Sequence, residues 1–158
     1  MSKINAELKN NSLYNKLKKI REETGAGVMR VKNVLDEVKG DEKKALEILK
    51  KEGFEKVAKR EGRETKQGKV FAYTHHNNKI VSIVELFSET DFVARNELFE
   101  NLGKDIALQV ASMGEKGIEK QEFIKDPSKT ITDLIKEVIA KTGENIKLGR
   151  VVRTELGK

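Results

Sequence analysis

The chain has no cysteine and no tryptophan, and Pro127 is the only proline among its 158 residues. Without cysteine, neither a disulfide nor a thiolate metal site can form. No apolar run approaches the roughly 20 residues that a membrane-spanning helix requires, and the N-terminus lacks the apolar core of a secretory signal. We therefore expect a cytoplasmic protein that makes no membrane contact.

Charge is abundant but unevenly distributed. Asp, Glu, Lys and Arg make up 37% of the chain, and the net charge is +6. Residues 1–67 hold 18 basic and 12 acidic residues, whereas the remainder is neutral. Such a basic N-terminal part suits an anionic partner, either RNA or an acidic protein surface. Acidic residues alternate with the basic ones over residues 51–66, however, and this favours paired charges on a solvated helix.

The first 59 residues show helical periodicity interrupted by glycines. Apolar residues three or four positions apart predict helices over 13–23, over 28–38 and from residue 41 onward, with Gly53 as an interruption. We predict a three-helix domain over residues 1–59. Residues 60–69 contain no apolar residue and are predicted to be a linker accessible to proteases.

Beyond the linker the periodicity changes to two. Residues 70–75 and 79–87 are rich in β-branched and aromatic residues, and the turn-forming residues 76–78 separate them, which predicts a hairpin with a central second strand. Further helices and a closing strand are predicted over 90–113, 119–125, 130–142 and 146–152. The fold class is α+β, with a small three-helix bundle followed by a three-stranded antiparallel sheet covered by helices in a core domain over residues 70–158.

In the core domain, residues 80–96 are predicted to form the end of a strand followed directly by the start of a helix. The apolar strand ends near Ser88, after which Thr90 is suited to cap a helix and Asp91 to occupy its first turn. Phe92 lies seven residues before Phe99, which belongs to the inward stripe of the helix. From periodicity alone, we expect Phe92 to pack in the core.

Three short motifs relate the chain to a known family. Residues 90–96, T-D-F-V-A-R-N, closely resemble the T-D-F-V-A-x-N segment of the elongation factor Ts family. Residues 24–29, T-G-A-G-V-M, are similar to the family's T-G-A-G-x-M, and residues 143–146 are similar to its G-E-N-I. Any one motif alone would be weak, but three in the family's order, covering most of residues 13–155, make the resemblance specific.

The resemblance implies a guanine-nucleotide exchange factor that acts by protein binding and catalyses no chemical reaction. Its partner would be elongation factor Tu carrying GDP. The family inserts an Asp-Phe pair near the Mg²⁺ and phosphate site of this GTPase, where the aromatic ring wedges between two helices. In this chain that segment corresponds to Thr90, Asp91, Phe92 and Val93, and the resemblance therefore reverses the expectation of core packing for Phe92.

The resemblance implies two further contact regions. The N-terminal patch comprises Lys18, Arg21, Val28 and Met29, and the end of the last long helix adds Thr142 and Gly143. The family commonly has an acidic residue and a cysteine after the methionine, where this chain has Arg30 and Val31. We therefore expect the patch to be more basic here. An N-terminal domain like the ubiquitin-associated fold and a non-covalent homodimer through the core domain are also implied.

Alternatives remain for the function and for individual residues. The glycines at 25 and 27 are explained by a tight helix connection, and Gly143 by a helix C-cap. The rival function is a basic RNA- or ribosome-binding module, which steep salt dependence would reveal. The chain lacks a stacking-aromatic motif, so we expect no direct nucleic-acid contact. No enzyme-like constellation occurs, and His75-His76 without cysteine makes a poor metal site, so no cofactor or metal is expected.

Overall fold

The computed structural model describes residues 2–158, with side chains from residue 11 onward. Its internal contacts divide the chain into two compact units, the first ending at Ala58 and the second spanning Lys59–Lys158. Each unit buries apolar residues of its own. Among the described residues, no helix is long and apolar enough to span a membrane.

The first unit consists of three helices, α1 (Ser2–Thr24), α2 (Val28–Glu37) and α3 (Glu42–Ala58). Its core is formed by Ile20, Val31, Val34, Leu35, Ala45 and Leu49. These are positions that the helical periodicity predicts to face inward. Two predicted boundaries are wrong: α1 begins well before residue 13, and α3 continues through Gly53. A glycine inside a helix costs only about 1 kcal/mol relative to alanine, which packing of α3 on α1 and α2 offsets.

The second unit is built on an antiparallel sheet of β1 (Gln67–Thr74), β2 (Ile80–Ser88) and β5 (Ile146–Glu155). The strand order is β1-β2-β5, which confirms that the apolar second strand is central. The turn between β1 and β2 includes Asn78 at φ +55°, a left-handed conformation that asparagine tolerates. Because β1 begins at Gln67, the predicted linker over residues 60–69 includes the first residues of the sheet.

Three helices accompany this sheet: α4 (Asp91–Ala94), α5 (Glu97–Met113) and α6 (Ile131–Thr142). α5 packs on the inner face, where Phe71 of β1 meets Phe99 with ring centroids 6.0 Å apart. The single helix predicted over 90–113 is therefore wrong. Asn96 interrupts it by capping α5, since its side-chain oxygen accepts a hydrogen bond of 2.8 Å from the Leu98 N–H.

The helix predicted over 119–125 is also wrong. A short 3₁₀ turn (Ile118–Lys120) leads instead into a hairpin of β3 (Glu122–Phe123) and β4 (Asp126–Thr130). The fully buried Gln109 of α5 stabilises this hairpin, because its amide donates to the Glu122 carbonyl and accepts from the Ile124 N–H, both at 3.0 Å. These backbone partners lie 13 and 15 residues along the chain, beyond the reach of local periodicity.

Candidate functional site

The turn from β2 into α4, residues 88–92, exposes one aromatic ring to solvent. Phe92 is 81% exposed, whereas the next two residues, Val93 and Ala94, are buried. In a single helical turn, the rotation that directs Val93 and Ala94 inward directs Phe92 outward. The expectation of core packing for Phe92 is wrong, because the break before Asn96 separates Phe92 from the inward stripe of α5.

Two of the neighbouring residues have structural roles in this β2–α4 turn. Thr90 is the N-cap of α4, and its Oγ1 accepts a hydrogen bond of 3.4 Å from the Val93 N–H. Val93, which the resemblance groups with the contact residues, is buried and packs in the core of the second unit. Of the four residues in that group, Asp91 and Phe92 are therefore the ones that present most side-chain surface.

Asp91 forms an ion pair within the same turn. Its Oδ2 lies 2.8 Å from Nη2 of Arg95, four residues along; the Arg95 side chain is largely exposed and the Asp91 side chain is about half exposed. Exposed pairs of this kind contribute on the order of 0.5 kcal/mol. A partner could therefore replace Arg95 at the Asp91 carboxylate at small cost to the free protein.

The loop after α6 holds the β2–α4 turn from the other side. Glu144 Oε2 accepts a hydrogen bond of 3.0 Å from the Thr90 N–H, and Oε1 accepts one of 2.7 Å from the Thr90 hydroxyl. The Asn145 N–H donates to Glu89 Oε1 at 2.6 Å. This loop begins at Gly143, whose φ of +80° ends α6 in a left-handed conformation. The fold therefore brings the Thr142–Gly143 helix end and the turn that presents Phe92 to the same edge of the sheet.

The same loop also fastens part of the predicted linker. The Asn145 side chain is buried, and its Nδ2 donates to the carbonyl oxygens of Glu61 and Arg63 at 3.2 and 2.8 Å. Arg63 Nη1 lies 3.5 Å from Glu89 Oε1, and Arg60 Nη1 donates to the Ile139 carbonyl at 3.2 Å. Residues 60–63 are thus attached to the second unit by named hydrogen bonds and an ion pair.

The N-terminal patch belongs to the first unit. Val28 and Met29 open α2 with 44% and 67% of their surfaces exposed, and Lys18 and Arg21 are exposed on α1. Between the helices, Gly25 has φ +68°, a left-handed conformation that favours glycine, whereas Gly27 has an ordinary φ of −65°. The exposed apolar pair thus lies at a turn whose backbone is set by Gly25.

Arg30 does not add a free positive charge to this patch. Its Nε donates to both carboxylate oxygens of Glu52, at 3.1 and 3.2 Å, and its Nη1 donates to Glu37 at 3.1 Å. These bonds raise the pKa of Arg30 and lower that of Glu52. Arg30 therefore links α2 to α3, and its charge is compensated by Glu52 and Glu37.

The two histidines lie close together at the end of β1. His75 and His76 follow β1 with ring centroids 4.1 Å apart, whereas an extended strand would point them to opposite faces. The Tyr73 hydroxyl is 3.3 Å from His75 Nδ1. Within the part of the chain whose side chains are described, no group of three His, Asp or Glu residues could hold a metal ion.

Sequence reasoning missed the residues that support the site. The sequence identifies Glu144 and Asn145 only as part of a motif before the closing strand. Their contacts with Thr90 and Glu89 span 54 and 56 residues. Nothing in the local pattern marks such contacts. The motif's combination of a carboxylate and an amide directly after a helix-ending glycine was the only available signal.

Comparison with known proteins gives consistent matches. The family model described as "Elongation factor TS" matches residues 89–158. A protein named elongation factor Ts from Leptospira biflexa is 41% identical, covering 89% of this chain and 96% of its own length. Proteins of the same name from Fervidobacterium nodosum and Thermosipho melanesiensis are 39% and 36% identical, each covering 90% of this chain and 96% and 97% of their own lengths. The similarity therefore extends to both units.

Proposed function

The chain belongs to the elongation factor Ts family, and on that premise we propose that it binds elongation factor Tu carrying GDP and accelerates GDP release. This action changes a binding equilibrium and makes or breaks no covalent bond. A translation factor of this kind would act in the cytoplasm. The observation that carries the proposal is the exposed ring of Phe92 on a turn whose other residues are buried or hydrogen-bonded.

Phe92 has the properties of an interface anchor. Large aromatic side chains that become buried on binding supply much of the energy of protein interfaces. Here the ring is presented on a turn that is already ordered, since Ser88 Oγ donates to the Thr90 carbonyl at 2.8 Å and Glu144 accepts both donors of Thr90. An ordered turn loses little conformational entropy on binding, which favours affinity.

Insertion of Phe92 beside the Mg²⁺ and phosphate site would weaken the hold of the GTPase on GDP. The Asp91 carboxylate would exchange its pairing with Arg95 for a polar contact on the partner. By thermodynamic linkage, any factor that lowers GDP affinity must itself bind more weakly to the GDP-loaded form, by the same ratio. GTP can then bind the emptied site and release the factor.

The N-terminal patch would contribute affinity at a second contact. Val28 and Met29 offer exposed apolar surface, and Lys18 and Arg21 place positive charge on the neighbouring helix. Burial of apolar surface contributes about 25 cal/mol per Å², so two such side chains supply useful binding energy. Thr142 and Gly143 would add a contact next to the β2–α4 turn.

A non-covalent homodimer is the second part of the proposal. The outer face of the sheet carries a row of apolar residues across all three strands, because Ala72 is paired with Ile83 and Ile83 with Val152. Ile83 and Val152 are exposed, as is Val70 on the same face of β1. A contiguous exposed apolar surface is typical of a protein interface.

The first experiment measures release of a fluorescent GDP analogue from a bacterial elongation factor Tu. The wild-type protein should accelerate release, and Phe92→Ala should reduce the acceleration by about 30-fold, which corresponds to about 2 kcal/mol for an interface anchor. Met113→Ala is the matched control, because Met113 is also an exposed apolar residue but lies at the far end of α5. Circular dichroism and urea unfolding should show that both variants remain folded.

The outcomes separate the parts of the proposal. No acceleration by folded wild-type protein at any concentration would reject the exchange function. Acceleration that survives Phe92→Ala would reject the insertion of this ring while leaving exchange in place. Equal losses in Phe92→Ala and Met113→Ala would also reject a specific role for Phe92.

A further inference from the structure

The N–H, the hydroxyl and the carbonyl of Thr90 all form hydrogen bonds, and the first two bind the Glu144 side chain. Its N–H and its hydroxyl both donate to the carboxylate of Glu144, at 3.0 and 2.7 Å. Its carbonyl accepts the Ser88 hydroxyl at 2.8 Å and the Ala94 N–H at 3.3 Å. Thr90, two positions before Phe92, is therefore bound through both its backbone and its side chain by a residue 54 positions further along the chain.

α4 cannot order itself without such contacts. It contains only four residues, Asp91–Ala94, whereas isolated helices shorter than about 12 residues are marginal in water. Val93 and Ala94 are held by burial, but Phe92 is exposed and makes no comparable apolar contact. The direction of the Phe92 ring therefore depends on the conformation of its N-cap, Thr90.

We propose that Glu144 is a positioning residue for nucleotide exchange, which orients Phe92 by fixing Thr90 through two charge-assisted hydrogen bonds. This inference rests on the proposed exchange function. Glu144 is half-buried in the loop after α6, outside the apolar core, and Thr90 is its partner through both oxygens. Hydrogen bonds to an ionised carboxylate are roughly twice as strong as neutral ones, so one side chain can hold the turn.

The chemistry of the contact distinguishes two substitutions. In Glu144→Ala both hydrogen bonds to Thr90 are lost. In Glu144→Gln the amide oxygen can accept the Thr90 N–H while the amide nitrogen donates to Thr90 Oγ1, which accepts instead of donating. Glu144→Gln should therefore keep the conformation of Thr90, although the side chain carries no negative charge.

The kinetic test uses the full chain and elongation factor Tu loaded with a fluorescent GDP analogue. Glu144→Ala should lower the maximal rate of GDP release by about tenfold, with a smaller change in the half-saturating concentration. The reason is that a misplaced Phe92 ring would still allow the two proteins to bind but would distort the Mg²⁺ and phosphate site less effectively. Glu144→Gln should stay within about threefold of the wild type. Glu115→Ala is the matched control, since Glu115 is an exposed carboxylate just beyond the opposite end of α5.

A double variant tests whether Glu144 acts through Phe92. If it does, Glu144→Ala should have no further effect in a Phe92→Ala background, since coupled residues are not additive. Additive losses in Glu144→Ala and Phe92→Ala would overturn the inference. So would a maximal rate in Glu144→Ala equal to that of the wild type.

Amide hydrogen exchange tests the contact without the GTPase. The N–H groups of Thr90 and Val93 should exchange at least about tenfold faster in Glu144→Ala than in Glu144→Gln, while core amides of α5 are unchanged. Unchanged exchange at Thr90 would overturn the inference even if GDP release is slowed. If the wild type fails to accelerate GDP release, the proposed function is rejected, and the Thr90 amide still decides whether Glu144 holds the turn.

Discussion

At the residue scale, Gly103 shows how a small side chain sets the distance between a helix and a sheet. It is buried in α5 directly above Phe71 of β1, and a Cβ atom at this position would overlap the Phe71 ring. The close approach allows Phe71 to reach Phe99, with which it forms a tilted aromatic pair. Gly103 is therefore explained by packing, despite the low helix propensity of glycine.

Gly103→Ala should destabilise the protein by about 1–3 kcal/mol, because overpacking of a filled core outweighs the roughly 1 kcal/mol that alanine contributes to helix propensity. The free energy of unfolding, measured by urea titration, checks this prediction. Gly62→Ala serves as the control, since no atom lies within 4 Å of a Cβ built there. A Gly103→Ala variant as stable as the wild type would mean that α5 can shift away from β1 at little cost.

Phe92 shows the limit of periodicity at this scale. Its position seven residues before Phe99 predicts an inward side chain, yet the ring is exposed because α4 ends at Ala94 and Asn96 caps a new helix. The sequence does contain the cap, since Asn96 is followed by Glu97 and Glu100 in the first turn of α5. The apolar stripe over residues 90–113 nevertheless predicts a single helix without a cap at Asn96.

At the element scale, α6 has the most complete local signal in the chain. Asp133 Oδ2 accepts the Thr130 N–H at 2.9 Å, and Thr130 Oγ1 accepts the Asp133 N–H at 3.2 Å, which together form a capping box. Gly143 closes the helix at its other end. The helix predicted over residues 130–142 agrees with the structure to within one residue.

The capping box should make the stability of the protein dependent on pH. The hydrogen bond from the Thr130 backbone lowers the pKa of Asp133 below its ordinary value. A lowered pKa in the folded state means that the contribution is complete above the unfolded pKa of about 4 and is lost as pH falls further. Asp133→Ala should therefore destabilise the protein by about 1 kcal/mol at pH 7 and by much less at pH 3.

Urea unfolding of the wild type and of Asp133→Ala at both pH values measures this difference. Asp133→Asn, which can keep a hydrogen bond but carries no charge, should show an intermediate loss at pH 7. A difference between wild type and Asp133→Ala that is the same at pH 3 and pH 7 would contradict an ionised cap.

At the scale of the whole molecule, the exposed apolar residues on the outer face of the sheet predict that two copies associate through this face. The row of Ala72, Ile83 and Val152 would be buried if two copies packed these faces together. Ile83→Glu should raise the dissociation constant of the dimer at least about tenfold, since it places an unpaired charge in the centre of the interface. Met113→Glu, an exposed apolar position on α5 beside the inner face of the sheet, is the control.

Sedimentation equilibrium gives the required dissociation constants. A wild-type protein that remains monomeric at the highest soluble concentration would reject the homodimer. A dimer that is equally stable in Ile83→Glu would place the interface on a different surface. Neither result bears on the role of Phe92, which lies in the turn after β2.

Ion pairs engage several of the basic residues among the first 67. Lys16 and Lys19 pair with Glu42, and Arg30 pairs with Glu52. Arg63 pairs with Glu89, and both residues belong to the second unit. These pairs give several of the basic residues a structural role, and the alternative of an RNA-binding track stays a prediction.

Sequence patterns alone predict the α+β class, the central position of β2, the bounds of α6 and the family to which the chain belongs. Those features depend on residues within a few positions of one another, where periodicity, capping and turn chemistry act directly. The exposure of Phe92, the contact of Gln109 with a hairpin instead of a helix, and the hydrogen bonds of Glu144 to Thr90 become visible in the fold alone. Each of these depends on a contact between segments distant in the chain, or on competition between a helix cap and an apolar stripe, and local patterns carry no information about which partner the fold supplies.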